Sequence, residues 1–157
     1  MPEISAHIID CYVFRRIADR IEFLMLLRSP GRAIAQTWQA VHGKIEAGET
    51  AWQAAIREMH EETGLSPLRF WQLEQVNTFY VAAQDRILMC PSFTAEVPLD
   101  AQVVLSHEHT EFRWVAAGDA LREFMWPGQR TAIREIIEYI IPGSTAEPFL
   151  RIQIEEG

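Results

Sequence analysis

The chain has little of what a secreted, membrane-bound or nucleic-acid-coating protein needs. Of its 157 residues only two are cysteine, Cys11 and Cys90. They lie far apart in apolar surroundings, without the paired spacing of a zinc or redox motif, and read as reduced core thiols. No apolar run approaches the ~20 residues of a membrane-spanning helix, and the opening MPEISAH lacks the basic start and greasy stretch of a secretory signal. A cytoplasmic protein without membrane contact is expected. Positive charge is scarce too: 14 Lys and Arg stand against 22 Asp and Glu, giving a formal net charge of −8 and a pI near 5.1. That balance argues against a broad basic surface for a nucleic acid polymer, and an acidic phosphate substrate would need metal ions as intermediaries. Repeats and low-complexity tracts are also missing. What remains is 48% hydrophobic residues in a length suited to one ordinary domain, residues 1–157.

The most informative stretch is Gly43 to Leu65, GKIEAGETAWQAAIREMHEETGL. Thr50 followed by Gln53 is a capping box, so a helix should begin at about Ala51. Gly64 can take the left-handed conformation that closes it after Thr63. Trp52, Ala55, Ile56 and Met59 recur at helical intervals and form the face for burial. Glu58, Glu61 and Glu62 occupy i, i+3 and i+4, which places three carboxylates on one arc of the surface. Such crowding is either a solvated acidic face or a cradle for a hard cation, since Mg²⁺ favours oxygen ligands shared among carboxylates, water and phosphates.

Around this helix the chain alternates between strand and loop signals. Ser5 to Phe14 and Ile21 to Leu27 predict a hairpin across the charged segment RRIADR, the second strand buried on both faces. Arg28, at the strand end, is a candidate phosphate contact or a plain surface cation. Trp38 and Gln39 follow a loop; the indole suits stacking on a flat heterocycle while glutamine reads its edge, or else it is core. Arg69 to Ala82 and Arg86 to Val97 predict two long strands joined near Gln84 and Asp85, with a bulge or edge position at Pro91. Val103 to Leu105 and Glu111 to Val115 predict short strands flanking SHEHT. A short helix is expected over Asp119 to Phe124 and a break at Trp126-Pro127-Gly128. Ile133, Ile136, Ile137, Ile140 and Ile141 mark an amphipathic helix that Pro142 and Gly143 end. From Ser144 the tail is a late strand or an arm onto a partner subunit.

Gly43, Glu49, Arg57, Glu58, Met59, Glu61, Glu62, Gly64 and Leu65 together fill every defined position of G-x5-E-x7-R-E-U-x-E-E-x-G-U, where U is a bulky apolar residue. The stretch thereby resembles the Nudix hydrolase box. The resemblance implies an α/β fold, a mixed β-sheet sandwiched between α-helices. It also implies hydrolysis of a nucleoside diphosphate linked to another moiety, by water attack on a phosphoanhydride. Glu58, Glu61 and Glu62 would bind Mg²⁺, with Mn²⁺ able to substitute, and the backbone carbonyl of His42 would join them. Arg57 would hold a box glutamate in place, with Glu49, Gly43 and Gly64 in support. The catalytic base would be Glu58, Glu61 or a distant carboxylate, for which Glu108 matches best and Glu111 second. His107 and His109 lack the further histidine or cysteine cluster that a zinc site requires.

TWQAVHG, LSHEHTEFRWV and WPGQRTAI resemble more loosely the dihydroneopterin triphosphate pyrophosphatase and dATP pyrophosphohydrolase branch. That likeness makes Trp38 and Gln39 base contacts, and Arg28 and Arg130 phosphate contacts. Dinucleoside polyphosphate hydrolysis is the alternative, with Tyr80 as a base-stacking residue or else a strand core residue. A nucleotide-binding module without turnover is a third reading, set back by the completeness of the box. A homodimer is expected only because relatives often form one.

Overall fold

The computed structural model describes residues 1–155. Strand β1 (Glu3–Ser5) is separate from β2 (Ile8–Ile17), so the expected first strand is broken at residues 6–7. Strand β2 forms an antiparallel hairpin with β3 (Arg20–Arg28) in which Phe14 faces Phe23 and Ile17 faces Arg20. Both strands run into the segment whose charge had suggested a loop. Arg15 lies opposite Glu22, bonds its carboxylate at 2.8 Å and covers the Trp114 ring at 4.2 Å, so cross-strand pairing absorbs the charge. The reversal then needs only a tight turn, with Ala18 at φ 51°. Strand β4 (Trp38–Gln39) pairs with β3 and β5 (Val41–Lys44) with β2.

Helix α1 (Ala51–Thr63) has the predicted bounds. The Gln53 amide donates to Thr50 Oγ1 at 3.3 Å, the Thr50 amide donates to the Gln53 side chain at 2.8 Å, and Gly64 closes the helix at φ 70°. Ala54, Ala55 and Met59 are buried against Ile9, Cys11 and Val13 of β2, with Trp52 and Ile56 half-buried at the edge.

The two long strands expected after α1 are each cut in two, giving β6 (Arg69–Gln72), β7 (Asn77–Val81), β8 (Arg86–Cys90) and β9 (Ser92–Glu96). Strands β6 and β9 pair in the main sheet, whereas β7 and β8 join β1 in a second sheet of order β1-β8-β7. Pro91 stands at the crossing. It has no N–H for a ladder, and its carbonyl accepts from the Asp10 amide at 3.3 Å, so the chain changes sheets there instead of bulging.

Val103 to Leu105 form no strand. The Val104 and Ser106 amides donate to the Thr63 and Glu62 carbonyls at 2.8 and 3.3 Å, and this segment caps the end of α1. Strand β10 (His109–Ala116) follows, antiparallel to β3, with a register shift between His109 and Glu111. The main sheet then runs β10-β3-β2-β9-β6, with β4 beside β3 and β5 beside β2.

Helix α2 (Ala117–Glu123) precedes α3 (Pro127–Glu135). Pro127 opens α3 rather than breaking the chain, because the first helical position needs no N–H donor. A π-helical segment, Ile136–Ile140, extends α3. Ala120, Phe124, Ala132, Ile133, Ile136 and Ile140 are buried with Tyr12, Phe14, Phe23 and Trp71 on the side of the sheet away from α1. The mixed sheet therefore lies between helices, as the resemblance implied. In the tail, α4 (Glu147–Leu150) leads to β11 (Arg151–Ile152), which pairs antiparallel with β6 and extends the chain's own sheet. Residues 156–157 of the expected arm lie outside the described residues. Cys11 and Cys90 are buried and free, and among the described residues no helix is long and apolar enough to cross a membrane.

Candidate active site

The three box glutamates do not share one solvated arc. Glu61 keeps 57% of its side chain exposed, Glu58 keeps 14%, and Glu62 as a residue is only 1% exposed. Each residue turns the helix by about 100°. On that wheel Glu58 lies between its neighbours, about 40° from Glu62 and about 60° from Glu61, so Glu62 points under α1, Glu61 points to solvent and Glu58 stands at the rim between them.

Arg57 organises the outer part. Its Nε and Nη2 donate to both oxygens of Glu49 at 3.0 and 2.6 Å, and Nη2 also donates to the Lys44 carbonyl at 2.9 Å. Its Nη1 donates to Glu58 at 2.8 Å and to Glu61 at 3.2 Å. The forked geometry suits a guanidinium and ties α1 to the turn before it. Arg57 holds the Glu49 carboxyl below the usual range. Burial raises Glu58 even though Arg57 opposes it. Gly43 leaves room for this arrangement: a Cβ there would lie 2.2 Å from Glu58 Cδ.

The inner part is different. Glu62, Glu108 and His109 each bring a ligand atom within 4.8 Å of the others. Neither Glu62 oxygen and neither His109 ring nitrogen has a hydrogen-bond partner, although both residues are buried. Burial first, then Glu108 and Glu58, pushes Glu62 up to about 9 against a weaker opposing pull from the His42 backbone N–H. Burial, with Arg28 next, pushes the His109 imidazole down to about 4. An orphaned buried carboxylate beside a second carboxylate and a neutral imidazole fits a divalent cation. Glu62, Glu108 and His109 are placed to hold one, with Glu58 and Glu61 toward the solvent side.

The loop that delivers Glu108 is fixed by Ser29. Its amide donates to the Glu108 carbonyl at 2.9 Å and its Oγ donates to the His107 carbonyl at 2.8 Å. Arg32 approaches the Glu108 carboxylate at 3.6 Å. His42, next to Gly43, has Nδ1 2.7 Å from Oδ1 of the buried Asp10. Burial alone would lower this imidazole, but the Asp10 carboxylate overcomes it and leaves the pKa raised.

The remaining candidates are more scattered. Arg28 faces His109 across β3 and β10, and its Nε has no partner. Trp38 carries the Arg113 guanidinium 4.1 Å from its ring centroid, and Gln39 Oε1 is buried without a donor. Tyr80 as a residue is 57% exposed, so it is not a core residue, and its hydroxyl donates to Asp85 at 2.9 Å. Arg130 donates to the Phe124 and Arg122 carbonyls at 2.8 and 3.1 Å, securing the junction of α2 and α3. Sequence reasoning passed over Asp10 and saw His109 only as half of a zinc pair. The signals were there: an acid inside the apolar run IIDCYVF, and a histidine next to the best late glutamate.

The NUDIX domain family matches residues 8–136. An asymmetrical bis(5'-nucleosyl)-tetraphosphatase from Caenorhabditis elegans is 31% identical over 111 residues, covering 70% of this chain and 78% of that protein. A dihydroneopterin triphosphate diphosphatase from Escherichia coli is 29% identical over 131 residues, covering 76% and 85%. An octanoyltransferase from Myxococcus xanthus is 36% identical over 112 residues, 71% of this chain, but the matched part spans only 31% of that protein's length. A crystal structure of a C. elegans Ap4A hydrolase binary complex superposes with a TM-score of 0.70 at 26% identity, covering 85% of this chain and 96% of that one. The chain belongs to the Nudix family. It is a Nudix hydrolase acting on phosphoanhydride bonds, and its acidic cluster has the character of the divalent-metal site such hydrolases use.

Proposed function

We propose that the protein is a Mg²⁺-dependent pyrophosphohydrolase for nucleoside or pterin triphosphates, of which dATP and dihydroneopterin triphosphate are the representatives to test. The observation that carries the metal dependence is the buried Glu62 carboxylate, which faces Glu108 without a protein donor. Glu62, Glu108 and His109 would hold a divalent cation, which would supply charge neutralisation for the phosphate chain and acidify a water molecule.

The chain's own residues do the positioning. Arg57 fixes Glu58 and Glu61 so that their carboxylates meet the phosphate chain in one orientation. Glu58, which burial raises, would take the proton of the attacking water, with Glu61 and Glu108 as the alternative bases. The His42 carbonyl, next to Gly43 of the box, would add a further oxygen donor. Arg28, with an unpartnered guanidinium nitrogen, is the cation for the phosphates. Trp38 and Gln39 would take the heterocycle, the indole stacking once Arg113 leaves its face and the unpartnered Gln39 oxygen accepting from an exocyclic amine. Arg130 would join the phosphate contacts only by leaving the carbonyls it now holds.

A second reading, hydrolysis of dinucleoside polyphosphates, is favoured by the exposed Tyr80 ring, which offers a second heterocycle a stacking surface. The test is a panel of dATP, dihydroneopterin triphosphate, diadenosine tetraphosphate and ADP-ribose, with and without Mg²⁺. The first reading expects pyrophosphate and a monophosphate from a triphosphate; ATP and AMP from diadenosine tetraphosphate would establish the second. No turnover of any of the four compounds with Mg²⁺ would remove both.

A further inference from the structure

The inner cluster differs in donor chemistry from the rim of the same site. Glu58 and Glu61 offer only oxygen, and Arg57 already occupies part of it. Beneath them the third donor beside Glu62 and Glu108 is an imidazole. His109 is 4% exposed, and neither of its ring nitrogens has a partner. A buried imidazole normally donates or accepts at one nitrogen at least, because leaving both unmade costs free energy with no return. The backbone holds this ring in place. His109 begins β10 opposite Arg28, the register shifts directly after it, and its amide donates to the Ser106 carbonyl at 3.4 Å.

Ligand atoms around one octahedral ion with bonds near 2.1 Å stand about 3 Å apart when adjacent and about 4.2 Å apart when opposite. The three donors lie within 4.8 Å of one another, so one ion can meet all of them after small side-chain shifts.

We propose that His109 supplies a nitrogen ligand to the cation held by Glu62 and Glu108, making this an inner mixed nitrogen and oxygen site selective for a first-row transition ion over Mg²⁺. The inference rests on the metal-site reading above and deepens it. Mg²⁺ is hard, keeps its water and takes oxygen donors, whereas ions from Mn²⁺ to Zn²⁺ accept imidazole with rising affinity. The oxygen-only rim formed by Glu58 and Glu61 is then the place for a more weakly held Mg²⁺.

The experiment is electron spin echo envelope modulation on the intact protein loaded with less than one equivalent of Mn²⁺, run beside calorimetric Mn²⁺ titrations in competing Mg²⁺. Wild-type protein should show directly coordinated ¹⁴N, replaced by ¹⁵N when only histidine is labelled. His109→Gln should lose that coupling and narrow the preference for Mn²⁺ over Mg²⁺ by about tenfold or more. His60→Gln, at an exposed histidine of α1, should keep both. The wild-type spectrum does not depend on any variant folding. Bound Mn²⁺ without nitrogen coupling, or coupling that survives His109→Gln, would overturn this assignment and leave the carboxylate site standing. Failure of Mn²⁺ to bind at all would remove the metal-site reading together with this one.

Discussion

Residues 57 to 62 handle negative charge in two opposite ways. On the rim, Arg57 gives Glu49, Glu58 and Glu61 a direct partner, with Glu46 at 3.8 Å. Under the helix, Glu62 is buried against Glu108 with no donor at either oxygen. The first arrangement is complete in itself and fixes the turn from β5 into α1. The second is incomplete, and a buried carboxylate in that state either takes up a proton or destabilises the fold. One part of the site is thus scaffold, and the other is stability given up for a ligand.

The largest effect that would sharpen this contrast is expected for Glu62→Gln. Hydrolysis should fall by about 100-fold or more, as expected when a group that stabilises developing charge is removed. The metal-free protein should nonetheless become more stable at neutral pH, because the amide can donate to Glu108 without the proton that Glu62 must first take up. Thermal melts in chelator and in saturating metal measure both. Wild type should gain about 2.7 kcal/mol at metal a hundredfold above Kd, and the variant much less. Glu62 also sets a pH dependence. Its native pKa is raised to about 9, so the stability from its protonated form is full below the ordinary carboxylate value and lost as pH rises toward 9. Metal-free wild type should weaken across that window, and saturating metal or Glu62→Gln should flatten the slope. A variant less stable than wild type in chelator would show that Glu62 is not an uncompensated charge.

Arg57→Ala should act on the rim with the opposite stability sign. Activity should fall by about 10- to 100-fold, the scale seen when a group orienting metal ligands is lost. The melting temperature should drop in chelator as well, because the rim carboxylates lose their shared partner. Lysine should rescue little, since it cannot reproduce the fork that grips Glu49 through both oxygens. If Arg57→Ala and Glu62→Gln move metal-free stability in the same direction, the division of the site fails. Gly43→Ala is a milder version. Its Cβ would overlap the Glu58 Cγ and carboxylate, so that side chain must shift and give up its Arg57 bond; turnover should fall by about tenfold, with a smaller drop in melting temperature than in Arg57→Ala.

The contrast within the site was only half readable from the sequence. Thr50, Gln53 and Gly64 act locally, within one helical turn of where they stand, and they placed both ends of α1 correctly. The i, i+3, i+4 spacing brought the glutamates together but did not reveal which of them the sheet would cover. That depends on β2, β5 and the loop before β10, all distant in the chain. Glu108 was found by pattern and does reach Glu62, whereas His109 needed the register of β10 on β3 to show that its ring enters the same space. The strand errors have the same origin. Residues 69–82 and 86–97 have strand composition throughout, and only the pairing of β8 with β1 shows that the chain leaves one sheet for another at Pro91. Charge misled at Arg15, where the partner that makes a strand tolerable is Glu22 on the neighbouring strand.

The smallest effect on activity belongs to a third carboxylate, which tests whether a buried acid costs stability wherever it sits. Glu147, away from the site, is also buried, but its Oε1 accepts from Trp71 Nε1 at 2.7 Å and from Arg151 Nε at 2.8 Å. The Trp71 bond first, and Arg151 after it against the pull of burial, hold its pKa below the ordinary carboxylate value. The sign is therefore the reverse of Glu62: its stabilisation is full above that ordinary value and lost as pH falls through the lowered native one. Glu147→Ala should leave the indole N–H buried and unpaired and cost about 1–3 kcal/mol, loosening β11 from β6. Turnover should stay within about twofold, because surface-side tail contacts add little to a distant site. Denaturant melts at pH 4 and pH 8 should show the variant's deficit shrinking at the lower pH. A deficit that instead grew with acid would mean that Glu147, like Glu62, is an acid the fold tolerates rather than one it uses.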